Sequence, residues 1–91
     1  MGKTIEVGCY WANGCGSGET DMEVDSFDDF VAKLEKFFED MCGMTAVESF
    51  DVYCNGEEYE WDNCDLPRNK DLSSVWKKVK KDLKIFFDAC N

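Results

Sequence analysis

Four carboxylates occupy alternate positions of one short segment: Glu19, Asp21, Glu23 and Asp25. The residues between them are uncharged and mostly apolar, which is typical of a half-buried β-strand. Side chains at i and i+2 of a strand lie about 6 to 7 Å apart, so this ladder repeats on about the scale of successive nucleic-acid phosphates. Because neighbouring like charges repel, the pattern indicates a surface that recognises positive charge.

A second group of carboxylates flanks Asn55-Gly56, the strongest short signal for a two-residue type I′ hairpin. The turn sets the register of the two strands, because each residue before it must face one residue after it. This register places Phe50 opposite Trp61 and Val52 opposite Tyr59 on one face, and Asp51 opposite Glu60 and Tyr53 opposite Glu58 on the other. We predict that the aromatic face lies in the core and that the acidic face, which includes Asp62, lies in solvent.

Catalytic and metal chemistry have little support in this chain. It has no histidine, which excludes Ser-His, Cys-His and His-metal arrangements built from this chain alone. We therefore predict no enzyme activity and no cofactor. The chain also has no Cys-x-x-Cys pair, so we predict no metal site, although four cysteines gathered by the fold stay open as a zinc site. The glycines at 14, 16 and 18 precede an acidic strand, which would repel phosphate, and they predict a hairpin loop.

The composition predicts one folded domain over residues 1–91, with 44% hydrophobic residues and a formal net charge of −10. Residues 1–65 carry 17 acidic and 3 basic side chains, whereas residues 66–91 carry 7 basic and 3 acidic ones. The acidic part repels nucleic acid and anionic membranes and attracts basic protein surfaces. We therefore expect a basic protein partner, with no direct binding of nucleic acid or membrane.

The start of the chain lacks the apolar core of a signal peptide, so we expect a cytoplasmic protein. The chain has six cysteines. Cys9, Cys54, Cys42 and Cys90 fall at apolar positions, where reduced thiols behave as small hydrophobes. Cys15 and Cys64 fall in loops, and a redox or disulfide role for this pair stays open. A secreted, disulfide-stapled effector is a further alternative.

Apolar spacing and turn signals predict the remaining elements. Alternation over residues 5–11 predicts a first strand, a glycine-rich loop follows at 13–18, and the acidic ladder forms a second strand that ends at Asp25. Ser26 with Asp29 resembles a capping box for a helix over residues 27–42, and Gly43 suits its end. After a loop at 63–70, Asp71 is the predicted N-cap of a second helix. The order ββαββα predicts an α+β fold, a four-stranded antiparallel sheet with two helices packed on one face.

The uncovered sheet face is predicted to carry nine carboxylates and no base: Glu6, Glu19, Asp21, Glu23, Asp25, Asp51, Glu58, Glu60 and Asp62. Tyr10 and Tyr53 lie among them. Acidic side chains also keep a sheet soluble and prevent edge pairing, which is the simpler explanation. Solubility needs no surface of one sign, because mixed lysines and glutamates achieve it with less repulsion. The pattern therefore favours an interaction surface.

In its size, its charge and the patterned rows at 19–25 and 51–62, the chain resembles the acidic nucleic-acid mimics of phages and plasmids, the anti-CRISPR and ArdA-type anti-restriction proteins. The resemblance implies an inhibitor in the host cytoplasm that occupies the basic groove of a defence nuclease or its complex. Tyr10, Tyr53 and any exposed part of Trp11 would add stacking contacts. The alternative is a non-enzymatic regulatory or structural interaction module that either docks on a host protein or self-associates, for example with the basic second helix of one copy against the acidic face of another.

Overall fold

The chain folds in the order ββαββα in a computed structural model that describes residues 2–12, 15–65 and 70–90. The strands are β1 (Lys3–Trp11), β2 (Gly16–Val24), β3 (Val47–Cys54) and β4 (Glu57–Asp62), and the helices are α1 (Phe27–Met41) and α2 (Leu72–Ala89). The strands form one antiparallel sheet in the order β2-β1-β3-β4. The predicted α+β fold is confirmed.

The hairpin between β3 and β4 has the predicted register in every pair. Phe50 faces Trp61, and Asp51 faces Glu60. Asn55 and Gly56 have φ angles of 49° and 88°, so both central residues take the positive φ that a type I′ turn requires. The turn chemistry alone therefore determined which side chains share a face.

Helix α1 begins as predicted, with a different capping partner. The Ser26 side chain accepts a hydrogen bond from the Asp29 N–H at 3.1 Å. In a capping box, the Asp29 carboxylate would accept a hydrogen bond from the backbone N–H of the N-cap residue, Ser26. Here it accepts instead from the N–H of Asp25, one residue earlier, at 3.0 Å. The helix ends at Met41, and Gly43 follows with a φ of 86°.

Helix α2 has Asp71 as its N-cap, as predicted, within a capping box that Ser74 completes. Polar contacts at three points attach the helix to the rest of the chain. The Trp76 indole donates to Glu35 of α1 at 2.8 Å, and the Tyr59 hydroxyl donates to Asp82 at 3.2 Å. The Lys3 ammonium donates to the Phe87 carbonyl at 2.6 Å, near the negative end of the helix dipole.

Both helices pack on one face of the sheet, where alternate strand residues meet their apolar stripes. The strands contribute Ile5, Val7, Cys9, Met22, Val24, Val47, Phe50, Val52, Cys54 and Trp61 to this core, and the helices contribute Phe30, Leu34, Phe38, Leu72, Trp76, Val79, Leu83, Phe86 and Phe87. Phe38 joins the two layers, with ring centroids 5.0 Å from Phe50 and 6.1 Å from Trp76. Neither α1 nor α2 packs against the other sheet face in the described part of the chain.

The prediction of a glycine-rich loop over residues 13–18 was wrong for residues 16–18, which belong to a strand. Strand β2 begins at Gly16, which faces Trp11, and Gly18 faces Cys9; residues 13 and 14 lie outside the described residues. A Cβ on Gly16 would overlap the Trp11 indole, and one on Gly18 would lie 2.7 Å from the Met41 sulfur. These glycines serve close packing within a strand, whereas the sequence suggested a turn.

The prediction of reduced core cysteines was wrong for one pair. Cys54 and Cys90 form a disulfide with their Cα atoms 5.8 Å apart, because the last residue of β3 lies beside the C-cap of α2. Cys9 and Cys42 are free thiols, buried and half-buried. Cys15 and Cys64 are exposed, as their predicted loop positions indicated.

We predict that Gly16→Ala lowers the free energy of unfolding by about 1 to 3 kcal/mol, because the added methyl group forces the Trp11 indole out of its position. Urea denaturation measures the change. The matched control is Ser17→Ala, the next residue, whose side chain is exposed; it should change stability by less than about 0.5 kcal/mol. Equal effects of the two substitutions would contradict the packing of Trp11 on Gly16.

Candidate functional site

The helix-free face of the sheet collects carboxylates from all four strands, and we call it the acidic face. Its carboxylates are Glu6 of β1, Glu19, Asp21 and Glu23 of β2, Asp51 of β3, and Glu58, Glu60 and Asp62 of β4. None of the strand residues on this face is lysine or arginine. The surface therefore has one sign of charge across its whole width.

The strand register arranges these side chains in rows across the sheet. One row is Asp21, Glu6, Tyr53 and Glu58, the next is Glu19, Gly8, Asp51 and Glu60, and a third is Ser17, Tyr10, Ser49 and Asp62. In this register, Glu6 stands directly opposite Asp21, and Asp51 stands directly opposite Glu60. Because neighbouring strands are about 4.8 Å apart, the like charges of each pair are close together. Each such pair destabilises the sheet slightly.

Gly8 forms the floor of a shallow depression at the centre of the acidic face. A Cβ at this position would lie 2.7 Å from a carboxylate oxygen of Asp51 and 3.5 Å from the Tyr10 hydroxyl, so both side chains extend over the glycine. The depression has a volume of about 290 Å³. Its lining includes five carboxylates and two tyrosines: Glu6, Glu19, Asp21, Asp51, Glu58, Tyr10 and Tyr53.

The electrostatics of the acidic face disfavour further negative charge. Partial burial raises the pKa of Asp51, and the nearby charge of Glu60 raises it further, while a backbone hydrogen bond from Gly8 acts in the opposite direction. The charge of Asp51 is the main cause that raises the pKa of Tyr10. A hydrogen bond with Glu58 raises the pKa of Glu60. The carboxyl groups of Asp51 and Glu60 therefore bind protons more readily than usual, and the part of the Asp51 shift that comes from neighbouring negative charge also favours other cations.

Eight of the nine residues predicted to contact a partner share this face: Glu19, Asp21, Glu23, Asp51, Tyr53, Glu58, Glu60 and Asp62. Asp25 does not belong to the strand, because β2 ends at Val24 and Asp25 forms the bend before α1. Trp11 lies on the helix side of the sheet, where it is partly buried against the core, so it does not share the acidic face with Tyr10 and Tyr53. Tyr53 is 43% exposed on the acidic face.

Two features of the site were missed in the sequence. The opposition of Glu6 and Asp21 depends on the pairing of β1 with β2, which the glycine-rich connection left unspecified. The role of Gly8 follows from its position between Asp51 and Glu19 in the assembled sheet. A lone glycine inside an alternating strand pattern is a known sign of close approach by another group, and that signal was present at Gly8.

Other kinds of site are not found in the part of the chain that the structure describes. Within residues 2–12, 15–65 and 70–90, no three cysteine or acidic side chains are gathered so as to hold a metal ion. No helix in these ranges is long and apolar enough to cross a membrane. Comparisons with protein-family models, with curated proteins and with solved structures found no match for this chain. The acidic face is therefore the feature of the described residues from which a function is inferred.

We predict that Asp51→Asn raises the free energy of unfolding at pH 7 by about 0.5 kcal/mol, because it removes the repulsion between Asp51 and Glu60. The pKa of Asp51 is raised in the folded protein, so the wild type regains this stability as the pH falls through that pKa. The advantage of the variant should therefore shrink in acid. Urea denaturation between pH 3 and pH 7 measures both effects.

The matched control is Glu23→Gln, which removes the same charge from a position opposite Thr4, where no carboxylate stands. It should change stability less than Asp51→Asn does at pH 7. A loss of stability in Asp51→Asn at pH 7 would show that the Gly8 hydrogen bond outweighs the repulsion.

Proposed function

We propose that this chain is an inhibitor that binds the basic nucleic-acid-binding groove of another protein through its acidic face. The observation that carries the proposal is the single sign of that face, with eight carboxylates from four strands and no strand lysine or arginine among them. The target expected from the sequence, a defence nuclease or its complex in the cytoplasm, is part of the proposal.

The spacing of the carboxylates supports mimicry of a phosphate backbone. Glu19, Asp21 and Glu23 repeat at about 6 to 7 Å along β2, and neighbouring strands add further carboxylates at about 4.8 Å. A groove that neutralises phosphates with lysines and arginines meets comparable charges at comparable distances here. The rigid sheet holds these charges in place before binding, which reduces the entropy lost on association.

The central depression supplies a specific contact within this broad attraction. Asp51, Glu6 and Glu58 provide carboxylates around it, and the rings of Tyr10 and Tyr53 provide aromatic surface. An arginine side chain suits this environment, because its guanidinium forms charge-assisted hydrogen bonds with carboxylates and stacks on aromatic rings. We infer that one arginine of the partner enters the depression.

The repulsion within the face argues for binding over solubility as its purpose. The opposed pairs Asp51 and Glu60, and Glu6 and Asp21, each reduce stability, although mixed charges would keep the sheet soluble without that loss. A basic partner neutralises these charges and relieves the repulsion in the complex. The same face repels DNA and RNA, so the chain itself should bind neither.

We predict that a polyanion displaces the partner from this chain. Immobilised protein is incubated with cell lysate at low salt, and the captured proteins are challenged with double-stranded DNA at constant ionic strength. Release of the partner by DNA is expected, since both ligands occupy one basic groove. The combined variant Asp21→Asn, Asp51→Asn and Glu58→Gln should capture at least about tenfold less, because it loses charges at the centre of the face.

The matched control neutralises Asp28, Asp40 and Asp88, three exposed acids on the helices, and should bind like the wild type. Equal losses in the two triple variants would show that net charge alone drives binding. If salt releases the partner and DNA does not, mimicry of nucleic acid is contradicted, and the chain is instead a protein-interaction module. A gel shift of DNA by the isolated chain would also count against the proposal.

A second candidate function, self-association, has its own supporting observation. Ile85 is 71% exposed on α2, directly after Lys84 and about one helical turn after Lys81. An exposed isoleucine with neighbouring lysines can dock on the acidic face of a second copy.

We predict that sedimentation of the wild type shows a monomer if the inhibitor function holds. Replacing Lys77, Lys78 and Lys81 with glutamine should then leave both the monomer and the capture of the partner unchanged within a few-fold. A dimer in the wild type that this substitution dissociates would establish self-association instead. Ionic strength is kept constant, because salt weakens either kind of complex.

A further inference from the structure

The two ββα halves of the chain are related by an approximate two-fold rotation. The sheet order β2-β1-β3-β4 places β1 and β3 side by side at the centre, with the partner hairpin strand of each on the outside. These central strands are antiparallel, and Val7 faces Val52 across them. A two-fold axis perpendicular to the sheet through this pair exchanges the two hairpins.

This rotation relates the cysteines of one half to those of the other. It carries Val7 onto Val52, and therefore carries Cys9, two residues later, onto Cys54. The helices follow the same relation: Cys42 is the C-cap of α1, and Cys90 is the C-cap of α2. Each half thus has one strand cysteine on the core face and one cysteine at the end of its helix.

In the second half the two cysteines are joined, by the disulfide between Cys54 and Cys90. In the first half, packing brings the equivalent pair together. The Phe38 carbonyl accepts a hydrogen bond from the Cys42 N–H at 3.0 Å. The ring centroid of Phe38 lies 5.0 Å from that of Phe50. Phe50 is the residue directly opposite Cys9 on the neighbouring strand.

A second contact places the end of α1 over the same part of the sheet. Met41 packs against Gly18, the residue that faces Cys9 from the other side. The Cys9 and Cys42 thiols are close enough for each to shift the pKa of the other. Two neighbouring thiols, at the positions of a bridged pair in the other half, are arranged for the same covalent bond.

We propose that Cys9 and Cys42 form a second disulfide under oxidising conditions, equivalent to the bridge between Cys54 and Cys90. The oxidant is a low-molecular-weight disulfide such as oxidised glutathione. The Cys42 thiolate attacks one of its sulfurs and releases one glutathione thiolate. The Cys9 thiolate then attacks the Cys42 sulfur and releases the second glutathione, so two electrons pass from the protein to the oxidant.

The burial of the pair determines the order of attack. Cys9 is fully buried, and burial raises the pKa of its thiol to about 12, so it cannot react first with a bulky disulfide. Cys42 is only half-buried and is the accessible partner. The second step is slow in the folded protein because the Cys9 thiolate is scarce. We therefore expect the bridge to form mainly during folding. This inference is independent of the proposed binding of a basic protein.

The test counts free thiols in the variant Cys15→Ser and Cys64→Ser, which removes the two exposed cysteines. The protein is unfolded, refolded in a mixture of oxidised and reduced glutathione, and then alkylated under denaturing conditions. We predict no alkylated cysteine and a mass about 4 Da below that of the reduced protein, since each bridge removes about 2 Da. A single bridge between Cys54 and Cys90 would leave two alkylated cysteines.

Digestion with trypsin and a glutamate-specific protease identifies the linkage, because cleavage after Glu48 separates Cys42 from Cys54. A linked peptide with Cys9 and Cys42 is expected. As a matched control, adding Cys9→Ala should leave one alkylated cysteine, Cys42. Alkylation of both Cys9 and Cys42 in the parent variant, or a link from either to Cys54 or Cys90, would overturn the proposal.

Discussion

The antiparallel pairing of β1 with β3 is the interaction on which the rest of this structure depends. A single hairpin with one helix has too small an apolar face to be stable alone, whereas two such halves joined at their inner strands share one core. Val7 opposite Val52 and Cys9 opposite Phe50 form the centre of that core. Phe38 then bridges the sheet and the second helix through Phe50 and Trp76.

The same pairing creates the acidic face, because it brings together residues far apart in the sequence. Gly8 comes beside Asp51, and Glu6 comes beside Tyr53. The absence of a side chain at Gly8 opens the depression that Asp51 and Tyr10 partly cover. The repulsion among the carboxylates is tolerated because apolar burial on the opposite face holds the strands in register. The arrangement of the acidic face thus depends on the packing of the core behind it.

The two faces of the sheet separate two kinds of chemistry. The strand carboxylates lie on the open face, while Cys9, Cys42, Cys54 and Cys90 lie on the helix side. The bridge between Cys54 and Cys90 joins the end of β3 to the end of α2 on the helix side.

The sequence by itself determined the elements and much of the acidic face. Asn55-Gly56 specified the register of β3 and β4, because these two residues strongly favour a type I′ turn in a hairpin. The periodicity of two and of 3.6 residues separated strands from helices. Ser26 and Asp71 marked the helix starts correctly. Local rules suffice where a signal and the structure it determines lie within a few residues of each other.

The tertiary structure decided everything that depends on contacts between distant segments. Gly16 and Gly18 were predicted as a loop, because their packing against Trp11 and Met41 cannot be read from a glycine-rich segment. The neighbours of Gly8 followed from the strand order, which local patterns do not specify. The bridge between Cys54 and Cys90 was missed for the same reason: the proximity of a strand end to a helix end exists only after the two halves have paired across β1 and β3.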